Sequence, residues 1–389
     1  MVLYSFMDEL VKRGHEVYAV LPDQRLRWEP GIWKDRVKIT TKPSILRRVV
    51  KPIVRVSPVY SLFKKYQPYL YLYRLTRGLI RNWADSDVTI ATYCLTAYAA
   101  YYLSDKTVPI YHMQHFEEIS FPDKLQRLIV RNTYKLPLIK VANSIWLKNL
   151  IRKHFHDEPY LLNPGIDLNV FRSYKEPKEK YYDKKDWLVV SYFDETREWK
   201  GFGDAVKAVS IAREKLIRKN VNIKWKVYGL RPPTNRYDVE FEYVGKIFGE
   251  ELAALYSGAD IVLLTSWYES FPLPPIEAMA CGSLVITTRY GTEDYVANGV
   301  NGLVSPPREV ETMANKIAYA IENPGECTRM VQNALDTCKN FTWPKRTDVL
   351  EEILHEVINE YTFNKVNFFD DLVGGKFKDY MHEEFELHQ

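Results

Sequence analysis

Short apolar runs alternate with helix-period stretches along nearly the whole chain, and this alternation restricts it to one class of fold. It is the pattern of βαβ units, whose strands lie parallel in a sheet with helices on its faces. In the N-terminal half Glu16–Leu21, Val88–Thr92, Pro109–Met113, Leu138–Ala142 and Tyr160–Leu162 are expected strands. Leu95–Leu103, Lys124–Tyr134 and Ile145–Phe155 are expected helices. Around Phe171 the pattern stops, and Arg172–Asp186 is so rich in charge that a solvated connection is expected there. A second series follows, with strands near Trp187–Ser191, Ile223–Tyr228, Glu240–Val244, Asp260–Leu264 and Leu284–Thr287. The expectation is an α/β chain of two doubly wound, Rossmann-like domains, residues 1–171 and 187–343, joined by 172–186 and facing a central cleft. Ligands in such sheets sit beyond the carboxyl ends of the strands. A chain of 389 residues, 46% hydrophobic, is long enough to bury two cores of this kind.

Both ends depart from the pattern. Met1–Arg13 already reads as a helix, closed by Gly14. A doubly wound domain ordinarily opens with a strand and a glycine-containing turn, so the first strand of the N-terminal domain is expected to be missing and the record to be truncated. At the other end a helix is expected to begin at Trp343-Pro344 and run to about Tyr361, with Val349, Ile353, Val357 and Ile358 on its apolar face. Residues 362–389 carry no assignable role.

Charge is unevenly spread. From Arg36 to Ala84 there are twelve Lys or Arg and no Asp or Glu. Arg47, Arg48, Lys51, Arg55, Lys64, Lys65, Arg74, Arg77 and Arg81 are interleaved with aliphatic residues and a Tyr-rich run from Tyr66 to Tyr73. Such a mixture describes either a surface for anionic lipid headgroups, a site for a lipid-linked or anionic glycan, or a solvated helical face on an insertion. Nothing here resembles a nucleic-acid-binding motif, and no nucleic-acid partner is expected. Cys94, Cys281, Cys327 and Cys338 show no paired spacing, which argues against a zinc site or disulfide framework and for a reducing compartment. No apolar run is long enough to cross a bilayer and no signal peptide is evident, so a cytoplasmic chain, peripheral at most, is expected. The 14% aromatic content, with 28 tyrosines, suits carbohydrate or lipid surfaces as well as cores.

Ser266–Gly282 carries the most chemistry. Glu269 and Glu277 stand eight residues apart across the start of a short helix that follows a buried strand. A carboxylate accepts hydrogen bonds from two vicinal hydroxyls, and a sugar nucleotide offers two such sets. Pro274 and Pro275 suit the first turn of that helix, whose free N–H groups are expected to favour a phosphate. The competing reading makes Glu277 a helix cap and Glu269 a solvated loop residue.

Glu269 to Glu277, with Phe271, Leu273, Ala278-Met279-Ala280 and Gly282, resembles the Glu-x7-Glu signature of retaining glycosyltransferases of the two-Rossmann-domain (GT-B) fold, family 4. Trp199-Lys200-Gly201-Phe202, Val227-Tyr228-Gly229, Val244-Gly245, Glu251-Leu252 through Tyr256 to Ala259-Asp260, and Val300–Val304 agree in order, so the similarity covers most of residues 187–345. It continues more loosely through Ala142–Ser144 and Asn163–Phe171. The resemblance implies that Glu277 holds the ribose hydroxyls and Glu269 the donor sugar. It places backbone amides around Phe271, Pro272 and Leu273 against the sugar and phosphate, and adds Gly245, Ile247, Gly291 and Thr292 to the donor contacts. Lys200 matches the lysine that neutralises the leaving diphosphate, a role fixed cations fill without a metal or cofactor. The family's Gly-Arg after the first strand is replaced by Tyr192-Phe193, leaving Arg197 as the substitute arginine. Pro272 stands where a glycine is common and removes one N–H donor.

In the N-terminal half, His112-Met113-Gln114-His115-Phe116-Glu117-Glu118 follows a short strand. His115 matches the family's cleft histidine, expected near the reacting carbon. A His-x-x-His metal site is not expected, because the side chains diverge and no third ligand is near. Glu117 and Glu118 read as solvated loop carboxylates, with acceptor orientation as the alternative. The implied activity is a retaining hexosyl or deoxyhexosyl transfer from a nucleotide-diphosphate sugar to a glycan or lipid-linked acceptor, in surface polysaccharide or glycoprotein glycan assembly. A nucleotide-sugar epimerase of the same fold and a degenerate sugar-nucleotide-binding scaffold are the alternatives.

Overall fold

The computed structural model describes residues 2–22, 38–40, 60–174, 176–182 and 184–363, with the backbone alone at 38–40, 60–66 and 178. The described residues form two compact units: residues up to Ala142, Leu150–Tyr160 and those from Val349 on; and Asn143–Asn149 with Leu161–Asp348.

In the first unit β1 (Tyr18–Val20) and β2 (Lys38–Thr40) pair parallel in a sheet of their own. A second sheet runs in the order β3 (Val88–Ala91), β4 (Val108–Met113), β5 (Ile139–Ala142), β6 (Tyr160–Leu161), with β3, β4 and β5 parallel. Among the described residues no strand joins the two sheets. Every residue of β4 is buried, as expected for a strand covered on both faces. The helix Val2–Lys12 buries Phe6, Met7 and Leu10, and Gly14 beyond it takes φ +93° to turn the chain into β1. Glu351 on the helix Trp343–Glu360 accepts from Arg13 and, at 2.7 Å, pairs with His15.

The second unit is a single six-stranded parallel sheet: β7 (Asp186–Phe193), β8 (Asn222–Gly229), β9 (Glu242–Tyr243), β10 (Ile261–Leu263), β11 (Leu284–Thr288) and β12 (Leu303–Ser305). The spatial order is β12-β11-β10-β7-β8-β9. The chain therefore builds outward from β7 through β9 and then crosses back to lay β10 on β7's other side. That reversal leaves a crevice at the carboxyl ends of β7 and β10. Side-chain alternation divides the core between the two faces. Val189, Ile261, Leu263, Leu284 and Ile286 meet Ala205, Ala208, Val209 and Ala212 of the helix Phe202–Leu216. Val190, Val262 and Val285 meet Leu252, Tyr256, Ile276 and Met279 of the helices Gly249–Gly258 and Leu273–Ala280. Each fully buried Val, Leu or Ile side chain among them contributes about 1.5–3 kcal/mol relative to exposure.

The expected solvated connection at 172–186 is corrected. It lies wholly within the second unit and contains the short helix Pro177–Tyr181. The Tyr181 ring is buried and its hydroxyl donates to Asp260 O at 2.9 Å. Lys180 is buried too, its Nζ donating to Gly282 O at 2.8 Å and Ser283 Oγ at 3.2 Å. Charge density misled here because a lysine ammonium satisfies carbonyls at a helix end as readily as it meets water. Most expected strands and helices recur within two or three residues of their bounds. The helix Tyr60–Asn82, with Pro68 inside it, was not among them. The tail from 364, and Arg47, Arg48, Lys51 and Arg55, lie outside the described residues.

Candidate functional site

A cavity of about 290 Å³ opens at the carboxyl ends of β7, β10 and β11. Its walls are Tyr192 near the end of β7, Leu264 and Ser266 beyond β10, Thr287 and Thr288 at the end of β11, and Tyr290 and Thr292 in the turn that follows. Lys200, Glu269 and the turn Phe271–Pro275 close it. Two glycines make this geometry possible. Gly291 takes φ +86°, and a Cβ there would fall 2.4 Å from Glu269 O. Gly201 takes φ +68°, and its Cβ would meet Thr265 O at 2.0 Å. Any side chain at either position would push the turns carrying Glu269 and Lys200 away from the strands.

Lys200 and Glu269 face each other across the cavity wall, Nζ to Oε1 at 2.5 Å, both side chains largely sheltered from solvent. The ammonium also lies 4.4 Å from the Trp199 ring centre and 5.8 Å from that of Tyr192. Trp199 in turn stacks on Tyr268, with ring centres 5.1 Å apart. Glu269 is therefore not a solvated loop residue. Nor does Glu277 cap its helix. It is the fifth residue of Leu273–Ala280, only 7% exposed, and no hydrogen bond to its carboxylate is found among the described residues. Burial pushes its pKa up to about 7. Beside it the hydroxyls of Tyr228 and Tyr256 pair with each other.

The expectation of free N–H groups at this helix start is also corrected. Pro272 occupies the N-cap with φ −68°, and Pro274 and Pro275 follow at the second and third helical positions. Three of the four donors a helix would present there are absent, leaving that of Leu273. Among the residues that line the cavity, Lys200 is the one cation.

The remaining expected site residues divide. Phe271, Pro272, Leu273 and Thr292 line the cavity, and Thr292 Oγ1 donates to Thr288 O at 2.7 Å. Gly291 supports it from behind. Arg197 does not line it: its guanidinium donates to Asp194 Oδ2 at 2.7 Å and to the Tyr192 hydroxyl at 3.2 Å, so Asp194 already balances its charge. Gly245, with φ +95°, and Ile247, set against the core, follow β9 and are not cavity residues. His115 belongs to the first unit, half-buried just beyond β4. His112 is buried against the edge of Phe6, and burial pulls its pKa down to about 4.

Glu117 is not solvated. Its Oε2 accepts from Cys94 N–H at 2.7 Å and the Tyr111 hydroxyl at 3.0 Å, which fastens the start of the helix Cys94–Tyr102. Glu118 is buried, 3.9 Å from Arg131. The cavity residues not anticipated as site residues include Tyr192, Leu264, Ser266, Thr287, Thr288 and Tyr290. Their signal was present, since they end or follow an expected strand on the side where such sheets bind ligands.

Two Rossmann-like units of this kind define the GT-B class of fold. Solved structures agree: sucrose-phosphate synthase from Thermosynechococcus elongatus matches with a TM-score of 0.64 at 17% identity, covering 92% of each chain. Anabaena HepE in complex with UDP-glucose matches at 0.63 and 16% identity, covering 88% of this chain and 100% of that one. Within the class, residues 172–337 match the family Glycosyl transferases group 1 and residues 1–170 match Glycosyltransferase Family 4, so each half of the chain carries a domain of glycosyltransferase type. The boundary between the two matches falls near Phe171, about ten residues beyond the passage into the second compact unit at Leu161. Among curated relatives, a D-inositol 3-phosphate glycosyltransferase of Saccharomonospora viridis is 25% identical over 218 residues, 51% of this chain and 50% of its own. One of Corynebacterium efficiens is 33% identical over 108 residues, 28% of this chain and 26% of its own. The chain spans about half the length, or less, of these relatives.

Proposed function

We propose that the protein is a retaining glycosyltransferase, moving a hexosyl or deoxyhexosyl group from a nucleoside-diphosphate sugar to a glycan or lipid-linked acceptor in surface polysaccharide or glycoprotein glycan assembly. The observation that carries this reading is the Lys200–Glu269 pair in the switch-point cavity, with the buried Glu277, which has no hydrogen-bond partner among the described residues, on the helix Leu273–Ala280. A diphosphate entering the cavity takes Lys200 from Glu269, and the freed carboxylate then accepts hydroxyls of the sugar. Glu277 takes the ribose hydroxyls, whose donated hydrogen bonds favour its ionised form and offset its burial.

In the reaction the bond from the anomeric carbon to the phosphate oxygen breaks and one to the acceptor oxygen forms on the same face. The acceptor proton passes to the departing phosphate. Lys200 stabilises the charge that develops there, and no metal or cofactor enters this scheme. Arg197 would assist the diphosphate only after leaving Asp194, a secondary role. Four buried, unbridged cysteines suit a reducing, cytoplasmic setting.

The HepE structure was solved with UDP-glucose, which makes UDP-sugars the first donors to test. With a panel of nucleotide sugars, slow release of free sugar of unchanged anomeric configuration, read by NMR, is the expected result. Interconversion without release would point to an epimerase, inverted product would overturn retention, and binding with neither would leave a scaffold.

A further inference from the structure

We propose that the outward face of the helix Tyr60–Asn82 docks on an anionic lipid surface. Tyr69, Leu70, Tyr71 and Tyr73 on this helix are 37%, 36%, 56% and 58% exposed, a run of large apolar groups in water within five residues of chain. Helical spacing places Leu70, Tyr73, Arg74, Arg77 and Arg81 on one side, while Thr76, Leu79 and Asn82 are buried on the other. Arg77 Nη1 donates to the Tyr73 hydroxyl at 3.3 Å, holding ring and guanidinium together at the surface. Among the described residues Arg74 and Arg77 have no carboxylate partner, and the helix itself contains no Asp or Glu.

Charge complementarity selects the occupant. A face that combines phenol rings and a leucine with arginines matches the boundary between lipid headgroups and acyl chains, where rings and Leu70 leave water while the cations stay at the phosphates. A nucleic-acid backbone would engage the arginines but leave Leu70 exposed. Among the described residues no helix is long and apolar enough to cross a membrane, so the contact is one of lying on the surface. The proposal does not depend on the glycosyltransferase reading.

The test is sedimentation of the full chain with phosphatidylcholine vesicles, with and without phosphatidylglycerol. Expected is binding to the anionic vesicles alone, reversed by high salt. Replacing the cations together (R74Q, R77Q, R81Q) is expected to weaken it on the order of a hundredfold, at about fivefold per charge. Replacing the apolar groups (L70S, Y71S, Y73S) is expected to weaken it as well, with the thermal midpoint unchanged because these side chains face water. The proposal is overturned if the unaltered chain stays in solution with anionic vesicles, if both variants sediment as it does, or if the chain binds RNA and not vesicles.

Discussion

On the proposed reading, a diphosphate that enters the cavity competes with Glu269 for Lys200. If Lys200 receives the diphosphate as proposed, Glu269→Gln frees its ammonium and should tighten binding of a bare nucleoside diphosphate by roughly tenfold, equivalent to about 1.4 kcal/mol. The same change should abolish release or transfer of the sugar. Titration calorimetry with the diphosphate checks it, and weaker binding would mean that Glu269 supports the phosphate site instead of competing with it. Glu277 behaves differently because its cost is burial. Its folded pKa of about 7 lies above that of an exposed glutamate, so its contribution favours folding below the unfolded pKa and is lost as pH rises through 7. At pH above 7 the penalty is about 3 kcal/mol. Glu277→Gln should therefore raise the melting temperature of the ligand-free protein at alkaline pH and leave it little changed in mild acid. Glu277→Ala should weaken donor binding by about 1.5–3 kcal/mol, the cost of removing a charged hydrogen-bond partner.

At the scale of elements, the most informative is the short helix Pro177–Tyr181, because it ties a highly charged stretch into the second core. Lys180 satisfies Gly282 O and Ser283 Oγ, while Tyr181 satisfies Asp260 O, all at the start of β10 and β11. Lys180→Met keeps most of the aliphatic stem but leaves Gly282 O with only the long 3.5 Å bond from the Tyr181 hydroxyl and removes the donor to Ser283 Oγ. The expected loss is about 1–3 kcal/mol in denaturant unfolding, with an unchanged slope. A loss near zero would mean water reaches Gly282 O. The start of the helix Leu273–Ala280 shows the opposite trade. Its prolines fix the turn that carries the site, and they remove the donors that would otherwise have met a phosphate there.

At the scale of the whole molecule, the two units have separate cores, and the cavity walls come from the second alone. Scanning calorimetry should resolve two transitions, and a nucleoside diphosphate at 100 times its dissociation constant should raise one of them, by about 2.7 kcal/mol of stability. An upward shift of both would show that unfolding of the two is coupled.

The alternation of apolar runs and helical stretches determined the α/β class, the parallel sheets and most element positions, because strand and helix periodicities are local properties of the chain. The strand-turn-helix around Glu269 was legible for the same reason, whereas Lys200 stood out only through the family resemblance of Trp199-Lys200-Gly201-Phe202. What only the tertiary structure decided depends on residues far apart in sequence. Lys200 meets Glu269 across 69 residues, Glu277 is buried by strands and helices it does not adjoin, and Asp194 holds Arg197 outside the cavity. Glu117 and Lys180 misled a reading of charge because burial follows from available hydrogen-bond partners, and those partners exist only once the chain has folded.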